Sequence, residues 1–150
     1  MNTSMGIKCF LVEPIFGDKR IDDSDYPVWD NREILGFVRN DTGERHEHVH
    51  EFGPGAMWHC YWYVKNAIWK NETEPPLCVV LPNGSDWSID GHCSNCTMKD
   101  DWTHRCWPRR GEPPNVTVDK NAGPTCPVGA GSVLANGWHG FLKDGELHQA

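Results

Sequence analysis

No stretch of this chain is long and apolar enough to span a bilayer, so the sequence proposes no transmembrane segment. Residues 1–8 are polar, and the apolar run at 9–12 is far shorter than the h-region of an export signal. Basic residues are in deficit: 14 Lys and Arg face 21 Asp and Glu, a net charge of −7. That balance opposes a broad electrostatic grip on DNA or RNA. The acids are scattered, and the densest stretch, 18–30, reads as a solvated loop rather than a nucleic-acid mimic. Repeats, low-complexity tracts and interdomain linkers are missing too, so residues 1–150 are expected to form a single domain. An even cysteine count is also lacking, and seven thiols cannot all pair within one chain. With no export signal read, a reducing cytoplasm is the expectation. There, clustered cysteines favour metal binding or catalysis over disulfides.

What the chain has instead is tryptophan, proline and glycine, at 8, 11 and 15 residues. The prolines and glycines imply short elements and many turns, and the tryptophans supply large buried areas or a sticky surface. Residues 7–13 read as a strand stopped at Pro14, and 34–39 as a second strand followed by turn chemistry at Asn40-Asp41-Thr42-Gly43. Gly53-Pro54-Gly55 leads into the best helical pattern of the chain. Met57, Trp58, Tyr61, Trp62, Ile68 and Trp69 recur at steps of three and four residues. Asn83-Gly84 between the runs 77–81 and 86–90 predicts a hairpin. Beyond Gly91 the chain reads as loops around short strands at 115–119, 132–134 and 139–142. The fold class expected is α+β: a small, mostly antiparallel sheet with one main helix and a loop-rich, zinc-stapled C-terminal half.

Four of the seven cysteines, Cys93, Cys96, Cys106 and Cys126, fall in one late segment opened by the CxxC of His92-Cys93-Ser94-Asn95-Cys96. His104 stands two residues before Cys106. Thiolates and imidazoles at such spacings are what tetrahedral zinc needs. The same residues also read as buried free thiols acting as small hydrophobes. A third reading is a catalytic thiol, Cys96, with His104 or His139 as its base. A second histidine group, His46, His48 and His50, would share one face if it were a strand, with His59 as a further donor. The preferred reading there is an exposed, charge-alternating loop. Lys99, Arg105, Arg109 and Arg110 interleave with Trp102 and Trp107, a pattern that can hold single-stranded nucleic acid. The overall acidity favours tryptophans packed over the metal loop and arginines paired with Asp100, Asp101 and Glu112. Gly129-Ala130-Gly131-Ser132 lacks the lysine that a phosphate loop requires.

A series of ordered blocks adds to this. They are Gly55-Ala56-Met57-Trp58, Asp86-Trp87-Ser88-Ile89-Asp90, Ser94-Asn95-Cys96-Thr97, His104-Arg105-Cys106-Trp107, Thr117-Val118-Asp119-Lys120, Thr125-Cys126, Gly129-Ala130-Gly131-Ser132 and Trp138-His139-Gly140-Phe141-Leu142. Together they resemble a family of small uncharacterised proteins encoded by tailed bacteriophages, over about the last hundred residues. The resemblance implies a ligand set of Cys96, Cys106 and Cys126 with His104 or His139, leaving Cys93 as an extra thiol. It implies origin more than activity; together with the tryptophan excess and the absence of a catalytic signature, it leads to the expectation of a non-enzymatic accessory protein in the cytoplasm of the infected bacterium. Such a protein would bind a host or phage macromolecule, a protein before a nucleic acid, to blunt a defence system or redirect a host enzyme. Trp102, Arg105, Trp107, Arg109 and Trp138 are the residue types that make interface hot spots. The alternatives are a cysteine- or metal-dependent hydrolase, with Cys96 as nucleophile or ligand and His139 or His104 as base, and a minor virion component.

Overall fold

The computed structural model describes residues 6–20, 32–60, 75–98, 100–101, 104–123, 125 and 131–150. Of these residues 46% are strand and 4% helical, and none lies in a helix of seven or more. The α+β expectation with a main helix is therefore overturned for a β architecture. The largest sheet has six strands in the order β4-β3-β2-β5-β6-β7. These are β2 (Phe10–Arg20), β3 (Arg32–Arg39), β4 (Arg45–His46), β5 (Ala56–His59), β6 (Leu77–Val80) and β7 (Asp86–Ser88). A four-stranded sheet runs β1-β12-β11-β10, from β1 (Ile7–Lys8), β10 (Val133–Ala135), β11 (Trp138–Lys143) and β12 (Glu146–Gln149). A two-stranded ladder joins β8 (Arg109–Arg110) to β9 (Thr117–Val118). Only β2 and β5 pair in parallel, through Phe10↔Ala56 and Leu11↔Met57; every other described pairing is antiparallel.

The expected helix fails at its first turn. Gly53 and Gly55 sit at φ +84 and +97, a left-handed geometry that suits glycine. A Cβ on Gly55 would lie 2.6 Å from the carbonyl oxygen of Lys8. The two glycines turn the chain so that Ala56–His59 runs beside β2. There Ala56 and Trp58 enter one apolar cluster and Met57 the other. Alternation into two cores is the signature of a strand buried on both faces, and in so short a run it mimics helical spacing. The remainder of the expected helix, 61–74, lies outside the described residues. β6 repeats the alternation: Leu77 and Val79 go to one cluster, Cys78 and Val80 to the other.

Pro14 does not stop the first strand. Leu11 O accepts from Asn40 N–H at 3.0 Å, so with Pro14 opposite Phe37 the ladder period turns the Pro14 nitrogen away from β3. β5 no longer flanks β2 at that point. A missing N–H there costs no ladder bond.

In the four-stranded sheet, Asn136-Gly137 and Asp144-Gly145 close two-residue hairpins with φ positive at all four positions, as type I′ turns require. β11 alternates strictly, with Trp138, Gly140 and Leu142 inward and His139, Phe141 and Lys143 outward. The larger cluster lies between the two sheets. It joins Met57, Val79 and Trp87 to Val133, Trp138 and Leu142, with Cys106, Trp107, Val116 and Val118 from the connecting segment. Cys93 and Cys96 pack against its rim. Among the described residues no helix is long and apolar enough to cross a membrane.

Candidate metal centre

The loop after β7 is fixed by one buried carboxylate. Asp90, 4% exposed, accepts from Leu77 N–H at 3.0 Å and from Arg109 through Nε at 2.7 Å and Nη2 at 3.1 Å. Arg105 Nε lies 3.8 Å from the same carboxylate, and Arg105 Nη1 donates to the carbonyl of His104 at 3.1 Å. The segment carrying His104 and Cys106 is thereby tied to the β6–β7 hairpin. Turns close the other half, with Gly91 N–H on Ser88 O at 3.2 Å and Cys96 N–H on Cys93 O at 3.2 Å.

These constraints bring His92, Cys96, His104 and Cys106 together, their donor atoms all within 4.8 Å of one another. Cys96 Sγ is 3.4 Å from His92 Nδ1 and 3.4 Å from His104 Nε2. Cys106 Sγ is 3.4 Å from His104 Nε2 and 4.0 Å from His92 Nδ1. Bond lengths for tetrahedral zinc put the N···S edge at about 3.6 Å, so the four distances bracket the edge of a Cys2His2 tetrahedron. Thiol–imidazole hydrogen bonding fits less well. A ring nitrogen has one in-plane lone pair, whereas His104 Nε2 has two sulfurs at the same distance. A cation between them satisfies both.

Two backbone amides point at the sulfurs: Cys93 N–H lies 3.2 Å from Cys106 Sγ and Met98 N–H 3.3 Å from Cys96 Sγ. Such donors stabilise thiolate and orient ligands. Burial pushes the Cys106 thiol up, helped by the neighbouring Cys96 and Cys93 thiols and opposed by the Cys93 amide. Burial pulls His104 down, which keeps it as the neutral imidazole that ligates. A bound dication would reverse the thiol shift outright. Loading must therefore expel thiol protons, and affinity for zinc is expected to climb with pH by up to roughly two decades per unit while both thiols are protonated in the free protein. Proton uptake by the freed His104, which burial confines to pH below the ordinary histidine range, drives release further. Chelator competition across pH measures that slope, and a flat profile would mean that the thiols are not ligands.

The other anticipated site residues are distributed as follows. Cys93 is half-buried beside the group, but its sulfur is not among the four donors. His139 is exposed on β11, across from Leu134, and is also not among them. Cys126 and Trp102 lie outside the described residues. Trp107 and Trp138 are 7% and 6% exposed. Trp107 stacks edge-on against Trp87 at 5.2 Å and donates to Ser132 O at 3.2 Å. Arg105 and Arg109 both face Asp90. His46, His48 and His50 share no strand face. The chain leaves β4 after His46 and turns into a 3-10 segment, Val49–Phe52, with His46 edge-on to Phe52 at 4.6 Å. No second group of three or more such donors converges among the described residues. Cys9 is buried core, its thiol pushed up to about 12 by burial and by Glu146.

His92 is the donor that the spacing analysis passed over. The signal was present: a histidine immediately before the CxxC, four residues from Cys96. No protein-family model, curated protein or solved structure matches the chain. What the chain does must be read from its own chemistry.

Proposed function

We propose that this chain is a zinc-stapled β-protein that acts by binding another macromolecule, with the metal holding loops in place rather than performing chemistry. One observation carries this: four protein donors converge on one point. Four protein ligands fill the tetrahedron of a structural zinc, whereas catalytic zinc keeps one position for water. Two thiolates and two imidazoles suit zinc better than magnesium or calcium, which take oxygen donors. The hydrolase reading loses support because the buried sulfur and nitrogen donors face each other. With the phage likeness as guide, the setting we propose is the cytoplasm of an infected bacterium, and the partner a host or phage protein.

The test is elemental analysis of protein purified without a histidine tag, with thiols counted by alkylation before and after chelation. The expected result is about one zinc per chain, with Cys96 and Cys106 alkylated only once the metal is removed. A metal-free protein with one hyper-reactive thiol would overturn the structural-zinc reading in favour of cysteine chemistry.

A further inference from the structure

Beside the metal loop lies a groove of about 720 Å³, a size in the range of ligand clefts. Its walls are the outermost strands of two different sheets. β7 is an end strand of the six-stranded sheet and β10 an end strand of the four-stranded sheet. Asp86, Trp87 and Ser88 come from one and Leu134 and Ala135 from the other, with the His92–Asn95 loop between them. Asn136 Nδ2 donates to Asp86 O at 2.7 Å and bridges the two strands at one end.

The registers show which backbone groups face this groove. Ile89 N–H bonds Leu77 O and Leu81 N–H bonds Ser85 O. With Val79 opposite Trp87, the period of two commits the Trp87 amide and carbonyl to β6 and turns those of Asp86 and Ser88 outward. The outward carbonyls are taken, Ser88 O by Gly91 N–H and Asp86 O by Asn136; the outward N–H groups have no partner among the described residues. In the other wall, the two-residue Asn136-Gly137 turn makes Ala135↔Trp138 a bonded pair. Ala150 N–H on His139 O agrees with that phase. Leu134 is then a non-bonded position, and its N–H and C=O point outward. Its side chain is 69% exposed. Ser88 Oγ, on the opposite wall, is buried with no hydrogen-bond partner among the described residues.

We propose that this groove is a docking site for an extended peptide segment of a partner protein, which pairs its backbone with the β7 and β10 edges. The inference rests on the partner-binding reading and names its surface. Open edges recruit strands because their unpaired N–H and C=O groups are a template. The bound segment carries an apolar residue against Leu134. It carries a lysine or arginine near Asp86, the one charged side chain among the described lining residues, in a chain of net charge −7.

The test uses the zinc-loaded full chain and linear peptides selected on it from a random displayed library. Selected peptides are expected to slow amide exchange at Leu134 and Ser88 by about tenfold or more. N-methylation of the peptide is expected to weaken binding at the residue whose N–H meets Leu134 C=O and not at the residues on either side, whose N–H groups point away from that edge. Leu134→Pro removes an N–H that no β-ladder uses and is expected to cost about tenfold or more in affinity, while Leu134→Ile, which keeps both the N–H and an apolar side chain, keeps binding. Far-UV circular dichroism and a thermal melt check that each variant is folded, and the N-methyl scan stands even if Leu134→Pro unfolds. No selected peptide, or peptides indifferent to N-methylation, would overturn the proposal. Peptides that bind and leave Leu134 and Ser88 unprotected would overturn this surface but not the binding role. Protection of the same amides on self-association alone would make a second copy the occupant.

Discussion

Replacing Cys106 by serine is expected to abolish zinc binding and to remove most of the stability of the protein. Cys106 is 1% exposed and is surrounded by two imidazole nitrogens and the Cys93 amide. Serine keeps the volume but not the ionised soft donor, and its hydroxyl does not ionise near neutrality. Structural zinc in small peptides contributes an apparent ~10–16 kcal/mol, measured against an unfolded apo state. A domain of this size has a net stability of only about 5–15 kcal/mol, so losing even part of the zinc contribution is large. Here two sheets have a core of their own, so the apo protein is expected to keep β structure while the segment from His92 to Cys106 loosens. Trp107 adjoins Cys106 and contacts Trp87, which makes tryptophan fluorescence the local reporter. Thermal melts of the parent with and without chelator, and of Cys106→Ser, check this. The chelated parent and the variant should coincide, and the variant should not respond to added zinc. Cys93→Ser is the control, because its sulfur is outside the group of four and serine keeps the backbone amide that reaches Cys106 Sγ. A Cys106→Ser protein with undiminished zinc and unchanged melting would eliminate the site.

The metal centre was more legible in the sequence than the fold. Cys96, His104 and Cys106 stand out by residue type and spacing, since a metal needs particular donors and a short loop can present two of them. His92 was equally visible but sat in the shadow of Cys93, the more familiar half of a CxxC. The helix was misread because Met57 and Trp58 are both buried. A strand with a core on each face shows no polar alternation, so step counting favoured a helix. The hairpins at Asn136-Gly137 and Asp144-Gly145 carry local turn chemistry. The pairing of β1 with β12, through Ile7↔Leu147 and Lys8↔Glu146, carries none, because it joins residues from opposite ends of the chain. Asp90 was missed for a related reason: its bond to Arg109 spans nineteen residues, whereas the charges near the arginines in sequence drew attention.

That carboxylate gives the second large effect: Asp90→Ala is expected to cost about 3–5 kcal/mol, the usual loss when one partner of a buried ion pair is removed. Two guanidiniums face a single acid whose side chain is 5% exposed, so its removal leaves two partly buried cations without it. It also strips the Leu77 amide of its acceptor. Removing one arginine is less costly. After Arg109→Ala the carboxylate keeps Arg105 and Leu77 N–H, and after Arg105→Ala it keeps the bidentate Arg109 and Leu77 N–H. The expected order of destabilisation is therefore Asp90→Ala, then Arg109→Ala, then Arg105→Ala, read by urea unfolding of the zinc-loaded protein. Arg110→Ala breaks a 3.5 Å pair with Asp119 in which the arginine is 59% exposed, and should leave stability nearly unchanged, as solvent-screened surface pairs do. Because Arg105 also holds the His104 carbonyl, the Asp90 variant should weaken zinc roughly 10- to 100-fold, as lost outer partners of a metal site do. Stability lost with zinc affinity intact would make Asp90 a support of the β6–β7 hairpin alone. Loss of both, in that order, would show that the ion cluster positions the ligand-bearing loop.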